Sequence, residues 1–205
     1  MVELRKRKAQ APPPLPEKKR IKAKAPPANP KQTEDTIPSC TEYVPVVGDV
    51  VNLDEFGGKF QSNDGTKTSL KTLVDGSKSG VVLFTYPKAS TSGCIKQACL
   101  FRDGYHKFTS TGLSIYGLST DSPKANTTFQ TKQDLPYPLL CDTASILISA
   151  IGFKKSPRGT TRGVFVIDKA GKVLILQPGG PDATVEAVRQ LVLSTAKKDQ
   201  NETAE

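Results

Sequence analysis

A nearly continuous apolar run, Val81-Val-Leu-Phe-Thr-Tyr86, leads directly into Pro87-Lys-Ala-Ser-Thr91-Ser-Gly-Cys94. No other feature restricts the fold as much. Six residues of high β propensity without polar alternation predict a strand covered on both faces, as in the centre of an α/β sheet. From Cys94 a helical pattern begins, carries Cys99 and runs to about Phe108. A thiol at a helix start lies among unpaired backbone N–H groups and at the positive end of the macrodipole, a setting that favours thiolate. Cys99 is near enough in sequence to react with whatever Cys94 becomes, so the two read as a redox-active pair.

The surrounding pattern supports an α/β protein. Val46–Leu53 and Phe60–Leu70 are expected to form an opening strand region, with Asn63-Asp64-Gly65 as its turn. Leu113–Ser119 reads as a second buried strand, and Ser122-Pro123 as the cap and first residue of a helix to about Gln133. The short apolar piece Pro138–Leu140 precedes a small helix near Ala144–Ile151. Thr161–Asp168 and Lys172–Gln177 form a hairpin around Lys169-Ala170-Gly171. A last helix covers Asp182–Lys198, with Val185, Val188 and Val192 on one face. These elements imply a mixed central sheet flanked by helices, over residues 43–198, with a disordered end at 199–205.

Residues 1–42 have a different character. They contain eight prolines, and residues 1–31 hold ten basic side chains against Glu3 and Glu17, so a net +8 of the chain's +9 lies there. Such a segment cannot bury enough apolar surface to fold, and is expected to be disordered. Its two clusters, Arg5, Lys6, Arg7, Lys8 and Lys18, Lys19, Arg20, Lys22, Lys24, are spaced like a bipartite nuclear localisation signal. A nuclear import receptor is the expected partner, and the nucleus the expected location. A weak, salt-dependent, sequence-blind contact with nucleic acid is a secondary expectation. No apolar run approaches a membrane span or a secretory signal, so no membrane partner is expected and the chain reads as soluble and intracellular. Four cysteines there argue against a disulfide framework. With His106 the only histidine and no C-x-x-C, zinc is not expected.

Pro87-x-x-x-Thr91-x-x-Cys94 resembles the active-site signature of the peroxiredoxin family, and Arg162, just ahead of Phe165-Val-Ile-Asp168, is similar to that family's distant arginine. The run from Tyr86 to Cys99, Phe101-Arg-Asp103 and Leu135-Pro-Tyr-Pro-Leu-Leu-Cys-Asp142 resemble the PrxQ or bacterioferritin comigratory protein subgroup. With a basic, Pro-rich tail, the likeness is to fungal nuclear members. Residues 44–198 carry it. Two positions depart from the pattern: Ser92 stands where many relatives have proline, and Cys141 where they usually have a small polar residue.

The resemblance implies a thioredoxin-like fold of peroxiredoxin type, a monomer, no metal or organic cofactor, and reduction of hydrogen peroxide or alkyl hydroperoxides. In that scheme Cys94 is the peroxidatic thiol. The backbone N–H groups of Gly93 and Cys94, the Thr91 hydroxyl and Arg162 surround the peroxide oxygens, and Pro87 shields the sulfur. Cys99 is the resolving thiol, and thioredoxin the reductant of the resulting disulfide. Residues five apart in an intact α-helix point about 140° away from each other, with Cα atoms roughly 8–9 Å apart. A disulfide needs about 7 Å or less. The Cys94–Cys99 bond therefore requires the first turns of the helix to unwind.

Blander readings stand beside these. Thr91 could be only a helix cap, Arg162 a strand-end salt-bridge residue, and Arg102-Asp103 a surface pair. His106 reads as solvated, Cys40 as a bystander, and Cys141 as a packed or partly exposed thiol, with an alternative resolving role as its other reading. A redox-sensing, chromatin-associated binding protein using the thiol pair as a switch is the alternative function. A general dithiol oxidoreductase is disfavoured by the missing C-x-x-C.

Overall fold

The computed structural model describes residues 43–157 and 159–202. The basic clusters, the domain boundary at 42, and Cys40 lie outside the described residues. Seven strands form one sheet: β1 (Lys59–Ser62), β2 (Lys67–Ser69), β3 (Gly80–Thr85), β4 (Leu113–Ser119), β5 (Leu139–Cys141), β6 (Gly163–Asp168) and β7 (Val173–Pro178). Their order is β2-β1-β5-β4-β3-β6-β7. The strands β3, β4 and β5 run parallel, and the other pairings are antiparallel. This is the expected mixed sheet, and β3 lies inside it.

The helices are α1 (Leu70–Gly76), α2 (Ser92–Asp103), α3 (Tyr105–Thr109), α4 (Pro123–Gln133), α5 (Ile146–Ala150) and α6 (Pro181–Glu202). Two cores follow from the period of two in the central strands. Val82, Phe84 and Tyr86 join Val164 and Val166 in one core, which also holds residues of α2, α4 and α6. Val81, Leu83, Phe165 and Ile167 join the opposite core, with α1 and α5. Every residue of β3 is buried, which accounts for its lack of polar alternation.

Several elements differ from expectation. Val46–Leu53 makes only the isolated bridge Val50↔Lys172, and Val46, Val47 and Val50 are exposed. Its valines do not alternate, and Gly48 turns to φ +101°, so no extended ladder can continue through it. The stretch expected as strand to Leu70 stops at Ser69, whose side chain accepts the Thr72 N–H and starts α1. The cysteine-bearing helix begins at Ser92 and stops at Asp103, with Gly104 between it and α3. The piece Leu139–Cys141 is a true strand. Helix α6 continues to Glu202 rather than ending at Lys198, since neither glycine nor proline interrupts Lys198-Asp-Gln-Asn-Glu202. Among the described residues, no helix is long and apolar enough to cross a membrane.

Candidate active site

Helical phase places the reactive candidate. Cys94 is the third residue of α2, and Cys94, Gln97, Ala98 and Phe101 form its buried face. The Phe101 ring stacks on Phe84 of β3 with centroids 4.5 Å apart, fixing the helix over the sheet. Cys94 is only 1 % exposed, so access to its sulfur is narrow. Its N–H bonds to the Thr91 carbonyl at 2.9 Å, and the Ile95 N–H bonds to the same oxygen at 2.8 Å.

Arg162 reaches this turn from the residue before β6. Its Nη2 donates toward Cys94 Sγ at 3.3 Å, while Nη1 donates to the Gly93 carbonyl at 3.0 Å and to Gln97 Oε1 at 2.7 Å. Its backbone is held as well: the Thr85 hydroxyl donates to Thr161 O at 2.8 Å, and Gly179 N donates to Arg162 O at 3.0 Å. Among the described residues no carboxylate pairs with Arg162. Arg162 therefore forms no strand-end salt bridge among the described residues, and its guanidinium faces the sulfur. A Cβ at Gly93 would lie 3.1 Å from Arg162 Nη2, so any larger residue there would displace the guanidinium by a few tenths of an ångström. Sequence reasoning missed Gln97. The signal was its i+3 spacing from Cys94, which places it on the same helix face.

The turn ahead of the helix is less tightly engaged with the sulfur. Pro87 and Thr91 are exposed. Thr91 is the residue before the helix, but its side chain caps no amide: its hydroxyl donates to the Lys88 carbonyl at 3.0 Å. No hydrogen bond joins the Thr91 hydroxyl to Cys94 among the described residues. Ser90 adopts φ +63°, and the Ala89 N–H is held by Asp121 Oδ2 at 2.7 Å, tying the turn to the loop after β4.

Cys99 faces another direction, as its position 140° around the helix requires. It is half-buried, and its thiol donates to Gln133 Oε1 of α4 at 3.6 Å. Arg102 pairs with Asp103, as the surface reading has it, yet its Nη1 also donates to Gln133 O at 2.7 Å. The buried Tyr137 hydroxyl donates to Ala98 O at 2.7 Å. The far half of α2 is therefore pinned to α4 and to the segment before β5. Cys94 and Cys99 are both free thiols on a continuous helix. Cys141 is buried against Asn126, whose Nδ2 lies 3.2 Å from its sulfur, and burial pushes its thiol pKa up. Of the packed and partly exposed readings, this is the packed one. His106 is exposed, as expected. Among the described residues, no group of three or more His, Cys, Asp and Glu side chains is placed to hold a metal ion.

A sulfur at a helix start, with an arginine aimed at it and a second thiol in the same helix, is a constellation with known relatives. The AhpC/TSA family model matches residues 52–175. The chain belongs to that family. Peroxiredoxin bcp1 of Schizosaccharomyces pombe is 35% identical over 144 residues, covering 69% of each chain. The chloroplastic peroxiredoxin Q of Populus jackii is 33% identical over 148 residues, covering 70% of this chain and 68% of its own. Among solved structures, peroxidoxin BcpB of Mycobacterium tuberculosis superposes with a TM-score of 0.62 at 31% identity, over 74% of this chain and 96% of its own. The bacterioferritin comigratory protein of Xanthomonas campestris, described as having alkyl peroxide reduction activity, gives 0.59 at 25% identity, over 70% and 99%. The chain is thus a peroxiredoxin of the PrxQ/bacterioferritin comigratory protein type, a thiol peroxidase, with the thioredoxin-like fold that its motif implied.

Proposed function

We propose that Cys94 is the peroxidatic thiol, that Cys99 resolves it, and that thioredoxin recycles the enzyme in the nucleus. The observation that carries the first part is the 3.3 Å approach of Arg162 Nη2 to Cys94 Sγ within the first turn of α2. The Cys94 thiolate attacks one oxygen of a hydroperoxide, the O–O bond breaks, and the departing oxygen takes a proton to leave as water or an alcohol. Arg162 and the Gly93 amide are the donors for the developing charge, since the Cys94 amide is engaged by Thr91 O. Thr91 can join them only by releasing Lys88 O and turning its hydroxyl. Pro87 borders the turn from its exposed position and narrows the approach. The small opening at Cys94 suits hydrogen peroxide and slender alkyl hydroperoxides.

The product is a Cys94 sulfenic acid. Attack by the Cys99 sulfur forms the disulfide, breaks the S–O bond and releases water. Because both residues sit on an intact helix, the step requires its first turns to open. The bonds of Arg162 to Gly93 O and Gln97 must then break, while those of Tyr137 and Arg102 hold the far half. The exposed disulfide so formed is open to attack by a thioredoxin thiolate, which takes the place of the attacking thiol in ordinary exchange.

Cys99→Ser is expected to leave the first oxidation of Cys94 within about threefold of wild type and to abolish turnover coupled to thioredoxin, its reductase and NADPH. Sustained coupled turnover in this variant would assign resolution to another thiol. If purified wild-type protein turns over no peroxide with thioredoxin present, the redox-sensor reading gains the weight. Nuclear residence rests on the clusters Arg5–Lys8 and Lys18–Lys24. Deleting residues 1–42 is expected to disperse a fluorescent fusion from the nucleus while leaving turnover in vitro unchanged. Retention in the nucleus would place the address elsewhere.

A further inference from the structure

We infer that Thr184 is a positioning residue for the reactive centre: it sets the orientation of the Gln97 amide, and through it the aim of Arg162 at Cys94. The inference rests on the roles proposed for Cys94 and Arg162. Thr184 stands in the first turn of α6, ninety residues from Cys94, and is fully buried. Its hydroxyl donates to the Pro181 carbonyl at 2.8 Å and accepts from Gln97 Nε2 at 3.1 Å. Gln97, also fully buried, accepts from Arg162 Nη1 at 2.7 Å through Oε1. Arg162 Nη2 completes the chain at Cys94 Sγ.

The direction of this chain is determined at both ends. A carbonyl oxygen can only accept, so the Thr184 proton is committed to Pro181 and its lone pairs face Gln97. A guanidinium can only donate, so Gln97 must present its oxygen to Arg162. The two requirements agree, and they settle which end of an amide points where. The reverse orientation would set the Gln97 NH2 against the guanidinium, with buried donors facing each other. A glutamine here also leaves the charge of Arg162 undiminished, whereas a carboxylate would pair with it and draw it from the sulfur.

A cap on α6 would be the structural explanation for Thr184, and its bonds argue against that. Its hydroxyl bonds backward to the carbonyl three residues earlier, an arrangement that adds little to a helix and can weaken it. Losing the hydroxyl should therefore cost α6 little, while it strips a buried amide of its acceptor and frees it to rotate.

The test uses the full chain with Thr184→Val, Thr184→Ala, Thr184→Ser, Gln97→Ala and the Thr184→Val/Gln97→Ala double variant. Two rates are read by mass spectrometry of the Cys94 peptide: single-turnover oxidation by hydrogen peroxide, and alkylation by iodoacetamide. Thr184→Val is expected to slow both by about fivefold, the worth of one buried hydrogen bond. Thr184→Ala should do the same if the valine variant fails to fold, and Thr184→Ser should stay within about twofold of wild type. In the Gln97→Ala background the valine substitution should cost nothing more, since the chain is already cut. Wild-type rates in a folded Thr184→Val protein, or equal slowing with and without Gln97, would overturn the inference. If wild-type Cys94 oxidises no faster than Cys99, the peroxidase assignment of Cys94 fails by itself, and the alkylation rates still decide the role of Thr184.

Discussion

Cys94→Ser is expected to reduce thioredoxin-coupled peroxide consumption to the background of the assay without reductase. A serine hydroxyl stays protonated at neutral pH and lacks the polarisable sulfur that attacks an O–O bond, so the first step has no nucleophile. The fold should survive. Serine is close in volume, and Arg162 Nη2, now 3.3 Å from the sulfur, can donate to the new oxygen and satisfy it in its buried site. A melting temperature within a few degrees of wild type would separate lost chemistry from lost structure. Cys141→Ser is the matching control. Its thiol is enclosed beside Asn126 and kept protonated by burial, so that variant should keep full turnover. Turnover that persists without Cys94 would place the chemistry at another residue.

What could be read in advance depended on whether a residue's surroundings are local. The burial of β3 was legible because a covered strand shows itself as consecutive apolar residues, and Cys94 was legible because a strand, a proline turn and a helix start succeed one another in sequence. Helix α1 was hidden by the β-rich residues before it, although Ser69 followed by Leu70, Leu73 and Val74 has both the cap and the spacing. Strand β5 was too short to be told from a loop, and owes its state to pairing with β1 and β4. Arg162 came only from resemblance, since nothing in residues 161–163 reveals what lies across the sheet. Gln97 had a local signal in its helical phase. Thr184 had none, because its significance arises from α6 packing against α2.

The same long-range assembly makes Arg162→Ala the second large effect. The substitution removes the cation nearest the Cys94 sulfur and one donor for the charge that develops on the departing oxygen. Donors of this kind are worth about 10²–10³ in rate in enclosed sites, and a comparable loss is expected in kcat/KM for peroxide. It also removes the side-chain donor that Arg162 Nη1 supplies to Gln97 Oε1 and Gly93 O, so the first turn of α2 loses its tie to the start of β6. The two consequences can be separated. Loosening the turn should hasten disulfide formation once the sulfenic acid exists, while loss of charge should slow formation of that sulfenic acid. Single-turnover kinetics of Arg162→Ala should therefore show a slower first phase and a second phase no slower than wild type. Arg162→Lys restores the charge but not the planar fork that spans Gly93 O, Gln97 and the sulfur together, so it should recover only part of the first phase. An Arg162→Ala protein that oxidises Cys94 within about threefold of wild type would reduce the arginine to a tether, and would leave the helix start and the Gly93 amide as the source of the rate.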